Sequence, residues 1–283
     1  MNVIEIENLE KSYTDFRLGS LNLSLPSGSI LGLIGENGAG KSTTIKLIMN
    51  TIHRDNGQIR VFGTDNQSKE FVSLKNQIGV VLDEAYYPEV LNARQAGKIL
   101  RHTYENWDQK AFDGYLSRFD LPLKKPFKDY SRGMKMKFSI AVALSHHAKL
   151  LILDEATSGL DPLIRDEILD IFNDFTREED HSILISSHIV SDLEKICDYV
   201  AFLHQGKLLL FEEKDRLLED YALVHLSHEQ LKALPADSII GQKEGKYEAE
   251  VLVKRDRLPA GLTPEYTSLE EIILFWAKGG SNE

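Results

Sequence analysis

Ile30-Leu31-Gly32-Leu33-Ile34-Gly35-Glu36-Asn37-Gly38-Ala39-Gly40-Lys41-Ser42-Thr43 is the stretch from which the fold is read. Its first five residues are continuously apolar, as expected of a parallel strand covered on both faces. Gly35 to Ser42 then match the pattern G-x-x-x-x-G-K-[ST]. Ile45, Ile48, Met49 and Ile52 follow at helical spacing. Strand, glycine loop and helix in that order make a βα unit. The glycines let the backbone curl so that several N–H groups converge at a helix N-terminus, where an anion is favoured. The expected phosphate-binding residues are therefore Gly35, Asn37, Gly38, Ala39, Gly40, Lys41, Ser42 and Thr43. Lys41 reaches the β- and γ-phosphates in this pattern, and the Ser42 hydroxyl is a ligand to Mg²⁺.

Further strands fit around this unit. Leu150–Leu153 and Ser182–Ser186 are again unbroken apolar or small runs. The first ends in Asp154-Glu155, which sets one carboxylate to hold Mg²⁺ and the next to polarise an attacking water. Val3, Ile4 and Ile6 with Leu21, Leu23 and Leu25 alternate with period two, an antiparallel flank. Val200–Leu203 and Leu208–Phe211 flank a turn and read as a hairpin. Between about residues 84 and 148 the pattern is helical, over Asn92–Trp107, Gln109–Phe119 and Met134–Ser145. Residues 1–212 thus form an α/β domain with an inserted helical subdomain. Residues 213–283 form a small α+β appendage that ends in the helix Ser268–Ala277.

The 283 residues carry 33 Lys and Arg against 44 Asp and Glu, a net charge of −11. Nucleic-acid binding rests on clustered cations, so nucleic acid is not an expected partner. Cys197 is the only cysteine, which excludes an internal disulfide and a multi-cysteine metal site; it reads as a small packing residue. The start MNVIEIENLEKSY lacks a basic n-region and an apolar core, and no apolar run approaches the roughly 18 residues of a membrane span. The expected location is cytoplasmic, with any membrane role supplied by a partner.

These motifs together resemble the ATP-binding subunit of ATP-binding cassette (ABC) transporters, over about residues 1–212. Ser158-Gly159-Leu160-Asp161 is similar to the family's D-loop, and His188 is placed like the switch histidine that contacts the γ-phosphate. Tyr13 resembles the aromatic that stacks on adenine. Tyr130-Ser131-Arg132-Gly133-Met134 stands where the family has its LSGGQ signature. The resemblance implies a P-loop NTPase core binding ATP and Mg²⁺. Glu155, His188 and Lys41 would be catalytic, Ser42 and Asp154 would hold the metal, and Ser131 and Gly133 would meet the γ-phosphate bound by an opposite subunit. It further implies a head-to-tail pair of ATP-binding subunits, either identical or paralogous. That pair would sit on the inner face of the membrane and drive transport through separate permease subunits. Ser-Arg-Gly-Met signatures occur in bacterial peptide and drug exporters, which makes export the expected direction.

Two positions depart from the family pattern. Arg132 replaces a signature glycine, and Met134 replaces the glutamine. Arg132 either contacts nucleotide or points to solvent, with solvent preferred. Asp83 stands where the family has the glutamine of its Q-loop. It is a candidate metal ligand, direct or through water, and the competing reading is a helix cap. Tyr86 and Tyr87, just beyond it, are expected in the groove that receives the permease. His146-His147 lacks metal-ligand spacing and reads as a helix end. The Leu269, Ile272, Ile273 and Trp276 stripe reads as packing for the C-terminal module.

Overall fold

The computed structural model describes residues 1–83, 87–235, 238–258 and 262–279. The chain begins with β1 (Asn2–Ser12), β2 (Arg17–Pro26), β3 (Ile30–Ile34), α1 (Lys41–Ile48), β4 (Asn56–Val61), β5 (Thr64–Asp65), α2 (Phe71–Leu74) and β6 (Ile78–Val81). It continues through α3 (Ala93–Thr103), α4 (Gln109–Arg118), α5 (Arg132–Leu144), β7 (Leu150–Asp154), α6 (Pro162–Phe175), β8 (Ser182–Ser187), α7 (Val190–Ile196), β9 (Tyr199–His204) and β10 (Lys207–Glu213). It ends with α8 (Lys214–Asp220), β11 (Tyr221–Leu226), α9 (His228–Ala233), β12 (Ile239–Glu244), β13 (Ala249–Lys254) and α10 (Leu269–Gly279).

The central sheet has the order β10-β9-β3-β8-β7-β6, with β9, β3, β8, β7 and β6 parallel and β10 antiparallel at one edge. All five residues of β3 and of β7 are buried, which explains their unbroken apolar sequence. A second sheet, β2-β1-β4-β5, is antiparallel and packs its apolar face over α1 and the central sheet. Here the alternation of Ile4 and Ile6 against Leu23 and Leu25 is the register itself. The third sheet, β11-β13-β12, belongs to the C-terminal part of the chain.

Register across the central sheet positions the site. Ile34 pairs with Ser187, and Ser186 pairs with Asp154. The carboxyl ends of β3, β8 and β7 therefore finish side by side, and the segments leaving them share one crevice. Ligand crevices in open α/β sheets lie at such strand ends.

The helical segment is anchored by its own aromatic core. Phe112, Phe127 and Phe138 are fully buried, and Tyr87 packs on Phe127 and Phe138 with ring centroids 5.1 and 4.8 Å apart. The Tyr87 hydroxyl meets Ser139 Oγ at 3.1 Å, and burial pushes its phenol up to about 12. Tyr87 is thus part of the subdomain core and not an open docking aromatic, because its ring has found partners inside. Tyr86 lies outside the described residues.

His146 is fully buried just past α5, with Nε2 3.2 Å from the Ile78 carbonyl and its ring edge against Tyr104. Its neighbour His147 takes φ +54°, so the pair does end the helix. Cys197 is buried, and desolvation raises its thiol far above the ordinary range. Leu269 and Ile272 of α10 are fully buried, in a core shared with α7 and the central sheet. The stripe therefore packs the C-terminal module against the α/β domain as well as within itself. Among the described residues no helix is long and apolar enough to cross a membrane.

Candidate active site

The phosphate loop leaves β3 at Gly35 and enters α1 at Lys41. Gly40 caps the helix with φ +114°, a conformation that side chains resist, and a Cβ there would also press on Leu18 and Phe16. Around the loop lies a cavity of about 500 Å³ lined by Tyr13, Phe16, Glu36, Asn37, Gly38, Gly40, Lys41, Ser42, Thr43, Asp83 and Glu155. Most of the residues expected from sequence thus meet at one place. Gly35 and Ala39 form the buried floor of the loop. Tyr13 is about half exposed at the cavity mouth, with Lys11 Nζ 5.6 Å from its ring centre.

Lys41 is buried to 6% exposure and folds back along the loop. Its Nζ donates to the carbonyls of Gly35 at 2.6 Å and Glu36 at 3.2 Å. The same ammonium lies 3.3 Å from Glu155 Oε1. Glu155 Oε2 is 2.6 Å from His188 Nδ1. Glu155 also sits at φ +52°, with its N–H directed to the carbonyl of Ser186. This strained turn is held because β7 fixes the preceding residue and Ser186 of β8 holds the Glu155 N–H. Glu155 Oε1 is buried and accepts no hydrogen bond, although Lys41 is within ion-pair distance. A buried carboxylate oxygen with spare accepting capacity, on a residue that lines the cavity, suits a water donor.

Asp154 closes β7 and is buried, its carboxylate accepting from Ser186 Oγ. The donor set of Ser42, at the cavity, and Asp154, at the end of the neighbouring strand, is all oxygen. It fits Mg²⁺, which takes few protein ligands and completes its shell with phosphates and water. No cluster of three His, Cys, Asp or Glu side chains arranged for a metal occurs among the described residues.

Ser131 and Gly133 are elsewhere. They line a separate cavity of about 400 Å³ with Arg132, Met134, Lys137 and residues 159–161 and 164. Ser131 is the N-cap of α5, its Oγ accepting from Met134 N–H at 3.2 Å. A Cβ on Gly133 would lie 3.3 Å from Leu160, so the signature turn and the D-loop are in close contact. Asp161 in turn caps α6 through the N–H of Ile164. The signature residues are thus grouped around an anion-suited helix N-terminus, apart from the phosphate loop of the same chain.

The two departures from the family pattern prove to be partners. Arg132 Nη2 donates to Asp83 Oδ1, so Arg132 does not simply point to solvent, and the carboxylate of Asp83 is taken by a cation of the protein itself. Residues 49 apart in sequence gave no signal of this contact. Arg165 was also missed: it lies 3.7 Å from the buried Asp192 and bonds the Leu160 carbonyl, tying the D-loop to α7 beyond His188.

A buried lysine in a glycine loop, two carboxylates at an adjacent strand end and a histidine on the second carboxylate define a P-loop ATPase site. Residues 18–158 match the family described as ABC transporter. The chain is 35% identical to the bacitracin transport ATP-binding protein BcrA of Enterococcus faecalis, over 73% of this chain and 68% of that one. It is 34% identical to the lantibiotic transport ATP-binding protein SrtF of Streptococcus pyogenes, over 75% and 92%. A solved ATP-binding subunit of an ABC transporter superposes with a TM-score of 0.69 at 26% identity, over 76% of this chain and 91% of that chain. A dimeric ATP-binding cassette with ADP and phosphate shares the fold, with a TM-score of 0.66 at 18% identity, over 75% and 98%. The chain belongs to the ABC transporter family and is an ATP-hydrolysing, ATP-binding subunit.

Proposed function

We propose that this subunit hydrolyses ATP at sites shared between two chains, powering export of a peptide-like or antibiotic compound through separate permease subunits. Its relatives named for bacitracin and lantibiotic transport support that substrate class. On this reading the subunit works at the inner face of the membrane, held there by the permease. The observation that carries the hydrolytic step is the buried, unsatisfied Oε1 of Glu155, pinned beside Lys41 and oriented by His188.

The chemistry follows from these groups. Glu155 accepts a hydrogen bond from water and aligns it for in-line attack on the γ-phosphate. His188 fixes the carboxylate through Oε2 and leaves Oε1 for the water. Lys41 exchanges its carbonyl partners for the β- and γ-phosphate oxygens and offsets their charge. Ser42 and Asp154 would hold Mg²⁺, which would supply positive charge to offset that of the phosphates. Tyr13 stacks on the base. Ser131 and Gly133 of the opposite chain present the α5 N-terminus to the γ-phosphate.

The separation of the two cavities within one chain supports a two-chain site. Phosphate release measured against chain concentration tests it. The account expects the rate per chain to rise with concentration and then saturate. A rate per chain that is constant from nanomolar to micromolar protein would overturn the shared site.

A further inference from the structure

The ion pair between Asp83 and Arg132 spans the two cavities: Asp83 lines the one around the phosphate loop, and Arg132 lines the one around the signature turn. Each member is out of place alone. Asp83 puts a carboxylate in a cavity built for polyphosphate, beside Glu155. Like charges lining one cavity repel unless a cation stands between them. Arg132 puts a cation at the first residue of α5, the positive end of the helix dipole, where a cation is disfavoured. Together the two charges cancel.

The path between them is also prepared. Arg132 passes over Gly159 of the D-loop, whose φ is +72°. A Cβ at Gly159 would lie 3.7 Å from Cδ, Nε and Nη1 of the arginine. One side chain thus touches the signature turn, the D-loop and the Q-loop position. Both partners are about half exposed, at 59% and 43% of their side chains. Pairs this exposed contribute little to folding. Stability does not account for the arrangement, and the charge it places beside the nucleotide cavity does.

We propose that Arg132 is a positioning residue for ATP binding: it neutralises Asp83 at the phosphate cavity and ties Asp83 to the D-loop. Arg132 fills the part that a metal ion would otherwise play toward Asp83. The proposal rests on the ATP-binding reading of the cavity, and it is independent of whether the water-orienting step is assigned to Glu155.

A charge cycle tests it, with equilibrium affinity for MgATP measured calorimetrically on the full-length chain and steady-state hydrolysis alongside. Arg132→Ala leaves Asp83 uncompensated and is expected to weaken MgATP affinity about tenfold, with kcat changed less than KM. Adding Asp83→Asn to that variant should restore affinity to within about threefold of wild type. Arg132→Lys, which keeps the charge, should recover most of the loss. Thermal midpoints should agree across the set, and Arg132→Gln serves if the alanine variant is unstable. Three results would overturn the proposal. Affinity unaffected by Arg132→Ala removes the role altogether. A loss that Asp83→Asn fails to restore makes Arg132 a direct nucleotide contact. A weaker Mg²⁺ dependence in Asp83→Asn alone makes Asp83 a metal ligand. Absence of hydrolysis by the wild-type chain would count against the ATPase mechanism, and the affinity cycle would still read the pair.

Discussion

Glu155→Gln preserves the shape of the side chain and removes only its charge, so its consequences can be worked from three observations. Oε1 is the buried oxygen with no hydrogen-bond donor, Lys41 Nζ is 3.3 Å from it, and His188 Nδ1 is 2.6 Å from Oε2. An amide can keep a hydrogen bond to His188, so the turn at the end of β7 should survive. The amide is far less basic than the carboxylate and polarises water poorly. Loss of a positioned base lowers rates by about 10²- to 10⁴-fold, which is roughly 3–5 kcal/mol in the barrier. Binding should move the other way. The substitution frees Lys41 from its anionic partner and removes one negative charge near the triphosphate. At an effective dielectric near 20, two unit charges about 5 Å apart repel by roughly 3 kcal/mol, a ceiling on the gain in affinity. Single-turnover phosphate release and calorimetric MgATP titration measure the two effects separately. We expect hydrolysis down at least about a hundredfold, affinity unchanged or tighter, and the ATP-bound pair of chains accumulating. Hydrolysis within about tenfold of wild type, or affinity weakened by more than about tenfold, would refute the assignment of Glu155.

Two further predictions concern the frame around the site. Burial, with a smaller push from His147, lowers the His146 pKa from 6.5 to about 4, so the folded state holds the ring neutral while the unfolded chain protonates first. The associated stability is complete above pH 6.5 and is lost as pH falls toward 4, by at most about 3 kcal/mol. Urea unfolding of wild type and His146→Gln at pH 7 and 4.5 should show a smaller pH effect in the variant, and equal effects would contradict the buried neutral ring. Tyr87→Ala should cost about 3 kcal/mol by emptying an aromatic core, and Tyr87→Phe about 1 kcal/mol by removing the bond from the phenol to Ser139, whose Oγ keeps its bond to the Lys135 carbonyl. Unchanged thermal unfolding of both variants would return Tyr87 to the docking surface.

The parts of the fold legible in the sequence were those whose environment is uniform. β3, β7 and β8 are covered on both faces, so their sequences are unbroken runs, and the glycine loop that follows β3 admits few alternatives. α5 begins at Arg132, two residues before its apolar pattern, because the Ser131 cap sets the start. Short strands were lost for want of a pattern. β4 opens with Asn56-Gly57-Gln58, and β6 is only four residues long and includes Gly79. β11 and β13 are mostly buried by the third sheet's own packing with α9 and α10, and β12 and β13 are joined as a hairpin through Gly245, a turn whose flanking strands are too short and mixed to read as strands alone. The grouping of the phosphate loop, Glu155 and His188 was legible because each follows directly on a strand whose run is plain in the sequence. The Asp83–Arg132 pair was not, since it depends on how the helical segment folds back on the sheet.

The central claim is that each ATP site is completed by the signature of a second chain, and mixing two inactive variants tests it most directly. Lys41→Ala disables the phosphate loop. Gly133→Asp sets a carboxylate at the signature turn, where its Cβ meets only the end of the Leu160 side chain at 3.3 Å. Each variant alone has the same defect at both sites. In a mixed head-to-tail pair, both defects fall in one site and the other is intact. ATP hydrolysis by an equimolar mixture should therefore recover a substantial fraction of wild-type activity while each variant alone stays inactive. A mixture as inactive as its components, under conditions where the two chains are shown to associate, would contradict the account.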